Sequence, residues 1–342
     1  MAGAMRFGVV GTGLISDWFV AACRRAGGAP VGVYSRDLDR GHDFATRHGL
    51  SLVTTTMEDL AGSDEIDAVY VASPIGSHYE HVLAALEAGK HVLCEKTLAT
   101  SPEAVRDLFD VAASRERVLL EAVRPVHDPA YQVISEALAR LGTLRHAHFE
   151  KCQYSSRYSA FLQGATPNAF DPASGNSALR DLGVYCLHPS LTLFGAPSSF
   201  AGVDYHLSNG FEAGGTLVLD YGTLKVTCAY SKVTKSVAPS VIYGETGSLS
   251  IDSIAEPGVV VFTGLDGQTE CISSVSQPKI PSETLHHPIE TFLRLCESGD
   301  VDHPFRAQSV VAEEIMSRVL ESDRGSVAPS WHALSEGEER QW

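Results

Sequence analysis

Two short stretches carry residue types whose spacing could do chemistry. In Gly89-Lys90-His91-Val92-Leu93-Cys94-Glu95-Lys96-Thr97 a largely apolar run of strand length, 91–94, follows a helical pattern that ends at Gly89. Glu95 and Lys96 then stand where that strand stops. In an open α/β sheet, ligands bind outside the carboxyl ends of the strands, and packing explains a charged pair there poorly. A lysine can hydrogen-bond a substrate hydroxyl or carbonyl, and can move a proton when its surroundings lower its pKa. The competing reading is a solvated strand end. The second stretch places Asp181, Tyr185 and His188 at i, i+4 and i+7, on one face of a helix predicted over 178–193. A tyrosine can give its proton to a developing alkoxide when a nearby ammonium lowers its pKa. Asp181 would bind a substrate hydroxyl or orient Tyr185. The alternative for this stripe is a capping Asp, a core Tyr and a buried, satisfied His.

The elements around the first stretch alternate strand and helix. A short apolar strand over 6–10 leads into Gly11-Thr12-Gly13-Leu14-Ile15-Ser16 and an amphipathic helix. This is a G-x-G-x-x-G pattern with Ser16 in the third place. Gly11 and Gly13 permit a tight turn and close approach of a pyrophosphate to the helix start at Leu14 and Ile15. The strand over 30–34 ends in Ser35-Arg36, where an NAD-binding unit usually has an acidic residue for the ribose 2′-hydroxyl. Ser35 and Arg36, with Arg40 one turn on, suit a 2′-phosphate, so NADP is expected rather than NAD. A buried strand over 67–72 ends in Ser73-Pro74, beside the cofactor. His78 there either contacts cofactor or begins the next helix. A helix over 102–116 and a strand over 118–122 complete a doubly wound parallel sheet, a Rossmann domain over 1–123.

Past that point the pattern changes. An imperfectly alternating, antiparallel-type strand is predicted over 144–154. Further strands follow over 200–273, separated by Asn209-Gly210, Tyr221-Gly222 and Asp266-Gly267. Helices are predicted over 282–297 and 307–321. Residues 124–342 therefore read as an α+β domain on an open, mostly antiparallel sheet that serves substrate binding and oligomerisation, its last helix free to pack back on the first domain.

Composition narrows the function classes. A net charge of −16 makes nucleic acid and anionic membrane poor partners. No apolar run is long enough to span a bilayer, and the first apolar run is already a strand, so a cytoplasmic protein is expected. The 7 Cys are odd in number and include no C-x-x-C pair, which argues against a disulfide framework or a zinc site. No metal is expected.

In this order, Gly11-x-Gly13, Ser73-Pro74 with His78, Gly89-Lys90-His91-Val92 running into Glu95-Lys96, Glu121-Ala122 and Asp181-x-Gly183-x-Tyr185 resemble the Gfo/Idh/MocA oxidoreductases over nearly the whole chain. The Asp-x-Gly-x-Tyr pattern is similar to the branch containing dimeric dihydrodiol dehydrogenase, glucose–fructose oxidoreductase and NADP-linked xylose dehydrogenase. The resemblance implies hydride exchange between a nicotinamide and a carbinol carbon of a sugar, cyclic polyol or related small molecule. It gives Lys96 and Tyr185 catalytic roles, and makes Asp181 a substrate contact. His188 is grouped with them as substrate-binding, Glu95 and Lys96 with the cofactor contacts. It also implies a homodimer or homotetramer. Two features depart from the family. Thr97 replaces the proline of its Glu-Lys-Pro motif, and Arg124-Pro125-Val126-His127-Asp128-Pro129 replaces an aromatic-rich segment. A catalytically silent dinucleotide-binding regulator on the same fold is the rival reading, against which the presence of both Lys96 and Tyr185 argues.

Overall fold

The computed structural model describes residues 3–274 and 279–322. The end of the second predicted domain, 323–342, lies outside them. The first sheet has six strands, β1 (Arg6–Val10), β2 (Ala29–Tyr34), β3 (Leu52–Thr54), β4 (Ala68–Val71), β5 (His91–Cys94) and β6 (Leu119–Glu121), in the order β3-β2-β1-β4-β5-β6. All five pairings are parallel. Every residue of β4 is buried, as an unbroken apolar run between two helical layers requires. The helices are α1 (Leu14–Arg25), α2 (Leu38–His48), α3 (Met57–Gly62), α4 (His78–Glu87) and α5 (Pro102–Ser114). Asp37, Thr56 and Ser101 cap α2, α3 and α5 by accepting a backbone N–H three residues on, each cap contributing about 1 kcal/mol. The strand order reverses between β1 and β4, and the crevice of such a sheet opens there.

The Gly-Lys-His run before β5 is structural. Gly89 follows α4 at φ +76°. Lys90 Nζ donates to the carbonyls of Ser63 and Ile66, at 2.9 and 2.8 Å. His91 Nδ1 accepts the Val118 N–H at 3.0 Å. The run therefore fixes where β5 starts, and so where Glu95 and Lys96 emerge.

The second sheet has eight strands, β7 (Leu144–Cys152), β8 (Ser199–His206), β9 (Glu212–Asp220), β10 (Lys225–Ser231), β11 (Ser240–Gly244), β12 (Gly247–Ile251), β13 (Val260–Gly264) and β14 (Thr269–Ser273). Their order is β14-β13-β12-β11-β7-β10-β9-β8. β7 lies in the middle, antiparallel to β11 but parallel to β10, so local alternation had indicated only half of its pairing. One face packs under α6 (Ala130–Leu138), α8 (Val184–Phe194) and α11 (Phe305–Ser322), with Phe149, Leu217, Val226 and Cys228 buried against Leu187, Leu191, Ile315 and Met316. On the other face Val203 is 73% exposed, and Tyr205, Val218 and Tyr243 are also exposed. A short helix α7 (Tyr158–Leu162) lies between β7 and α8, and α9 (Pro281–Thr284) precedes α10 (His286–Ser298).

The closing helices return to the first sheet. Leu285, Ile289 and Phe292 share one core with Phe7, Val9 and Phe19. In α11, Val310 packs on the core of the first sheet and Ile315 on that of the second, while Ser309 Oγ donates to Glu121 Oε2 at 2.6 Å.

The helix predicted over 178–193 is not regular. Leu179–Gly183 form a π-type turn, and the α-helix proper, α8, starts at Val184. The wide turn rotates later residues back relative to an α-helix. His188 is thereby turned away from Asp181 into the interior, 2% exposed, where Gln308 Nε2 approaches its Nδ1 at 3.2 Å.

Burial lowers the His188 pKa to about 3 from an ordinary 6.5. A native value below the unfolded one means stability present above pH 6.5 and lost as pH falls from 6.5 toward 3. Glu121, which burial pushes up to about 7, runs the other way, its contribution being lost as pH rises from the ordinary carboxylate range through 7. Relative to His188→Asn, the wild-type protein should therefore lose about 2 kcal/mol more stability between about pH 6.5 and about pH 4.5. Denaturant titrations of both proteins at the two pH values check this, and parallel losses would refute it.

Candidate active site

The strand ends of the first sheet supply one wall of a cleft of about 510 Å³. Ile15, Ala72, Ser73, Pro74, His78, Glu95 and Lys96 line it from this side; Lys151, Gln153, Asp181, Tyr185 and Glu256 line it from the other. Gly11 ends β1 at φ +103°, and a Cβ there would lie 2.9 Å from the Ala72 carbonyl oxygen, so only glycine fits. Gly13 is the N-cap of α1 without a side-chain cap, and a Cβ on it would meet nothing within 4 Å. Open space thus lies beside the first turn of α1, where the N–H groups of Leu14 and Ile15 have no intrahelical partner and would suit a phosphate. These observations fit a dinucleotide, which Gly11, Gly13, Leu14 and Ile15 would hold.

The residues after β2 are placed less simply. Ser35 is buried, and its hydroxyl donates to the Asp37 carbonyl at 2.7 Å, so its proton is committed to the turn. Arg36 is exposed. Arg40 is exposed too and lies 3.6 Å from Asp37, the α2 cap and a carboxylate that the spacing argument overlooked. Of the two readings of His78, the structure shows the helix start. It opens α4 and lines the cleft, while Nδ1 lies 2.8 Å from the Thr97 carbonyl and Nε2 2.7 Å from that of Ser73. It thus ties the loop after Lys96 to the loop after β4.

Lys96 crosses to the second domain. Its Nζ donates to Asp181 Oδ1 and to the Asp181 carbonyl, both at 2.7 Å. The peptide from Lys96 to Thr97 is cis, and Thr97 Oγ1 donates to the Arg180 carbonyl at 3.2 Å. Burial pulls the Lys96 pKa down, but the Asp181 carboxylate outweighs it and holds Lys96 above the ordinary range. The lowered pKa that would make this lysine a proton carrier is therefore not what its surroundings produce; it stays an ammonium. Burial pushes Asp181 up, yet Lys96 and Lys232 hold it well below the usual carboxylate range. Lys232 Nζ sits 2.8 Å from Asp181 Oδ2. Glu95 is tied to Tyr70, whose hydroxyl donates to it at 2.6 Å, and burial raises its pKa.

The π-turn gives Asp181 its position. Gly183 is needed in it, because a Cβ would lie 2.6 Å from Leu179 Cδ1 and 3.1 Å from the Tyr230 ring. Tyr185, one turn on, lies under three cations: Lys96 Nζ is 4.9 Å from the ring centre, Arg124 Cζ 5.3 Å and Lys151 Nζ 5.7 Å. Arg124 Nη2 donates to Tyr185 Oη at 3.2 Å and to Glu256 Oε1 at 3.0 Å. Lys151 Nζ donates to Glu256 Oε2 at 3.1 Å. The structure thus brings together Lys96, Asp181 and Tyr185 but leaves His188 out of the cleft. Arg124, Lys151, Lys232 and Glu256 were missed. Arg124 carried a signal, since it follows the carboxyl end of β6; the others come from one strand and two loops whose meeting no local pattern announces.

Known proteins share this architecture. Residues 5–122 match the Gfo/Idh/MocA model, an oxidoreductase family with an NAD-binding Rossmann fold. The chain is 36% identical over 316 residues to the uncharacterized oxidoreductase YgjR of Escherichia coli K12, covering 92% of this chain and 95% of that one. It is 35% identical to the scyllo-inositol 2-dehydrogenase (NADP(+)) IolU of Bacillus subtilis 168, covering 87% and 90%. Its fold is similar to that of KijD10, a 3-ketoreductase from Actinomadura kijaniata solved in complex with NADP and TDP-benzene, with a TM-score of 0.83 and 25% identity over 93% of this chain and 98% of that one.

The two glycines should fail differently. Gly13→Ala should weaken nicotinamide nucleotide binding with little change in stability, because the methyl enters only the space a pyrophosphate would use. Gly11→Ala should lose both, through its positive φ and the clash with Ala72. Calorimetric titration together with thermal melts separates the two outcomes; equal stability of both variants would contradict the assignment.

Proposed function

The chain belongs to the Gfo/Idh/MocA oxidoreductase family, and from that premise we propose that it is an NADP-linked dehydrogenase or reductase that exchanges hydride with a carbinol carbon of a sugar, polyol or related small molecule. The observation that carries the reading is the convergence of Lys96, Asp181 and Tyr185 on one cleft facing the dinucleotide crevice. The bound cofactor would supply the hydride acceptor or donor at its nicotinamide ring. The chain's own residues then handle proton and charge. Arg124 donates to Tyr185 Oη, which leaves the phenol's own proton for the substrate oxygen. That donation serves reduction; in oxidation the Tyr185 phenolate takes the hydroxyl proton, and the Lys96 ammonium stabilises the developing oxyanion. Asp181 keeps Lys96 charged and aimed, and accepts from a substrate hydroxyl.

NADP rather than NAD is supported by Arg36, exposed at the end of β2, and by the NADP named with IolU and KijD10. Arg36→Ala should weaken NADP binding by about 1–3 kcal/mol and leave NAD nearly untouched. Equal losses by calorimetry would overturn this preference.

Lys96→Met and Tyr185→Phe should each lower turnover by about 10²–10⁴ while cofactor binding persists. The double variant should lose little more than the worse single one, since groups acting as a unit are non-additive. A Tyr185→Phe protein of near-normal turnover would remove Tyr185 from the reaction.

A homodimer through the open face of the second sheet completes the proposal. Val203, Tyr205, Val218 and Tyr243 expose apolar surface on that one face, which water disfavours. Light scattering at micromolar concentration should give twice the chain mass, and a monomer mass would refute it.

A further inference from the structure

The charge balance of the cleft extends this oxidoreductase reading to the kind of substrate. Two carboxylates there are each shared by two cations. Asp181 holds Lys96 and Lys232, and Glu256 holds Arg124 and Lys151. In a chain of net charge −16, cations clustered in one cleft are not a by-product of composition. Removing two cations from water against one carboxylate is unfavourable unless a further anion completes the set.

In the first group both ammoniums are employed. Lys232 also donates to the Ala169 carbonyl at 2.9 Å, and Lys96 faces the reacting oxygen. The second group is different. Arg124 is 5% exposed and committed to Thr284, Tyr185 and Glu256. Lys151 comes from the central strand β7, lines the cleft, and donates to Glu256, which leaves further N–H donors on its ammonium. The other carboxylate beside Arg124 is Glu95, which lies on the first-domain wall, is bonded by Tyr70 and is driven toward its neutral form by burial. Lys151 thus stands on the substrate-domain wall and shares the carboxylate it is paired with, Glu256, with Arg124. Gln153, Asn168 and Asn176 share its lining and offer amide groups suited to hydroxyls.

The geometry points to a substrate that carries a fixed negative group, a carboxylate or a phosphate, seated on Lys151 with the field of Arg124 behind it. One positive charge, on Lys96, meets the oxyanion that develops during reaction, and the other meets an anion present throughout. A sugar acid and a sugar phosphate both answer this description; an uncharged polyol does not.

The test uses full-length protein saturated with NADPH, so that alcohols bind without turning over. Inorganic phosphate, tartrate, galactose, galacturonate and galactose 6-phosphate are titrated by calorimetry and by nicotinamide fluorescence. At least one anionic probe should bind saturably. An acid or phosphate ester should bind about tenfold or more tighter than galactose, with the preference falling as salt is raised. Lys151→Met should reduce the preference to about twofold or less, and Lys151→Arg should retain part of it. Tighter binding of the ester than of the acid assigns phosphate; the reverse assigns carboxylate. No saturable binding of any anion, or a preference untouched by Lys151→Met, overturns the proposal. Oxidation of neutral polyols as fast as of acids would also remove the anion seat and leave the oxidoreductase reading intact. Anion binding without turnover of anything in a broad screen would do the reverse.

Discussion

The ion pair from Lys96 to Asp181 is the constraint on which the rest of the site depends. Its members are 85 residues apart and belong to different sheets. The lysine Nζ bonds both the Asp181 side chain and its main-chain carbonyl, so it fixes the π-turn as well as a charge. Asp181 is about one-third exposed and is held by Lys232 as well, so removing it would leave two lysines without their shared carboxylate. Each neighbouring device holds one end of the Lys96–Asp181 pair. Lys90 and His91 set the register from which β5 delivers Lys96; His78 and Thr97 clamp the loop that follows; Gly183 lets the wide turn pack on Tyr230.

That interaction also decides what the lysine can do. A buried lysine alone would shed its proton readily, and the resulting amine would be a base. Against Asp181 it remains an ammonium, so in the proposed mechanism its contribution is electrostatic and proton transfer falls to Tyr185. Arg124 reinforces the division of labour by occupying a lone pair of the tyrosine oxygen. In that mechanism one carboxylate would separate a charge-stabilising role from a proton-carrying one, as two titratable groups with diverging environments often do.

The two domains are coupled less by the chain crossover than by the closing helices. α10 completes the core of the first sheet, and α11 packs on both sheets while bonding Glu121 at the end of β6. The wall carrying Lys96 and the wall carrying Tyr185 are therefore braced from behind, as a hydride transfer that tolerates little misplacement requires.

The parallel sheet, the glycine turn and the strand end bearing Lys96 were legible from the residues alone, because each rests on local rules: apolar runs, glycine backbone freedom and the direction of α/β crossovers. So was the face that Asp181 and Tyr185 share, since four residues stay in phase whether the turn is α or somewhat wider. The place of His188 was misjudged, because the π-turn shifts the phase further along and its cause, close packing of Gly183 on Leu179 and Tyr230, is tertiary. Only the tertiary structure brought Lys151 from β7, Arg124 from beyond β6 and Glu256 from a distant loop to one tyrosine. A side chain's charge is written in the sequence, but the balance of charges in a cleft depends on distances between segments far apart in the chain. The ionisation state of Lys96 was decided there, because burial and Asp181 act in opposite directions and their relative strength is a matter of geometry.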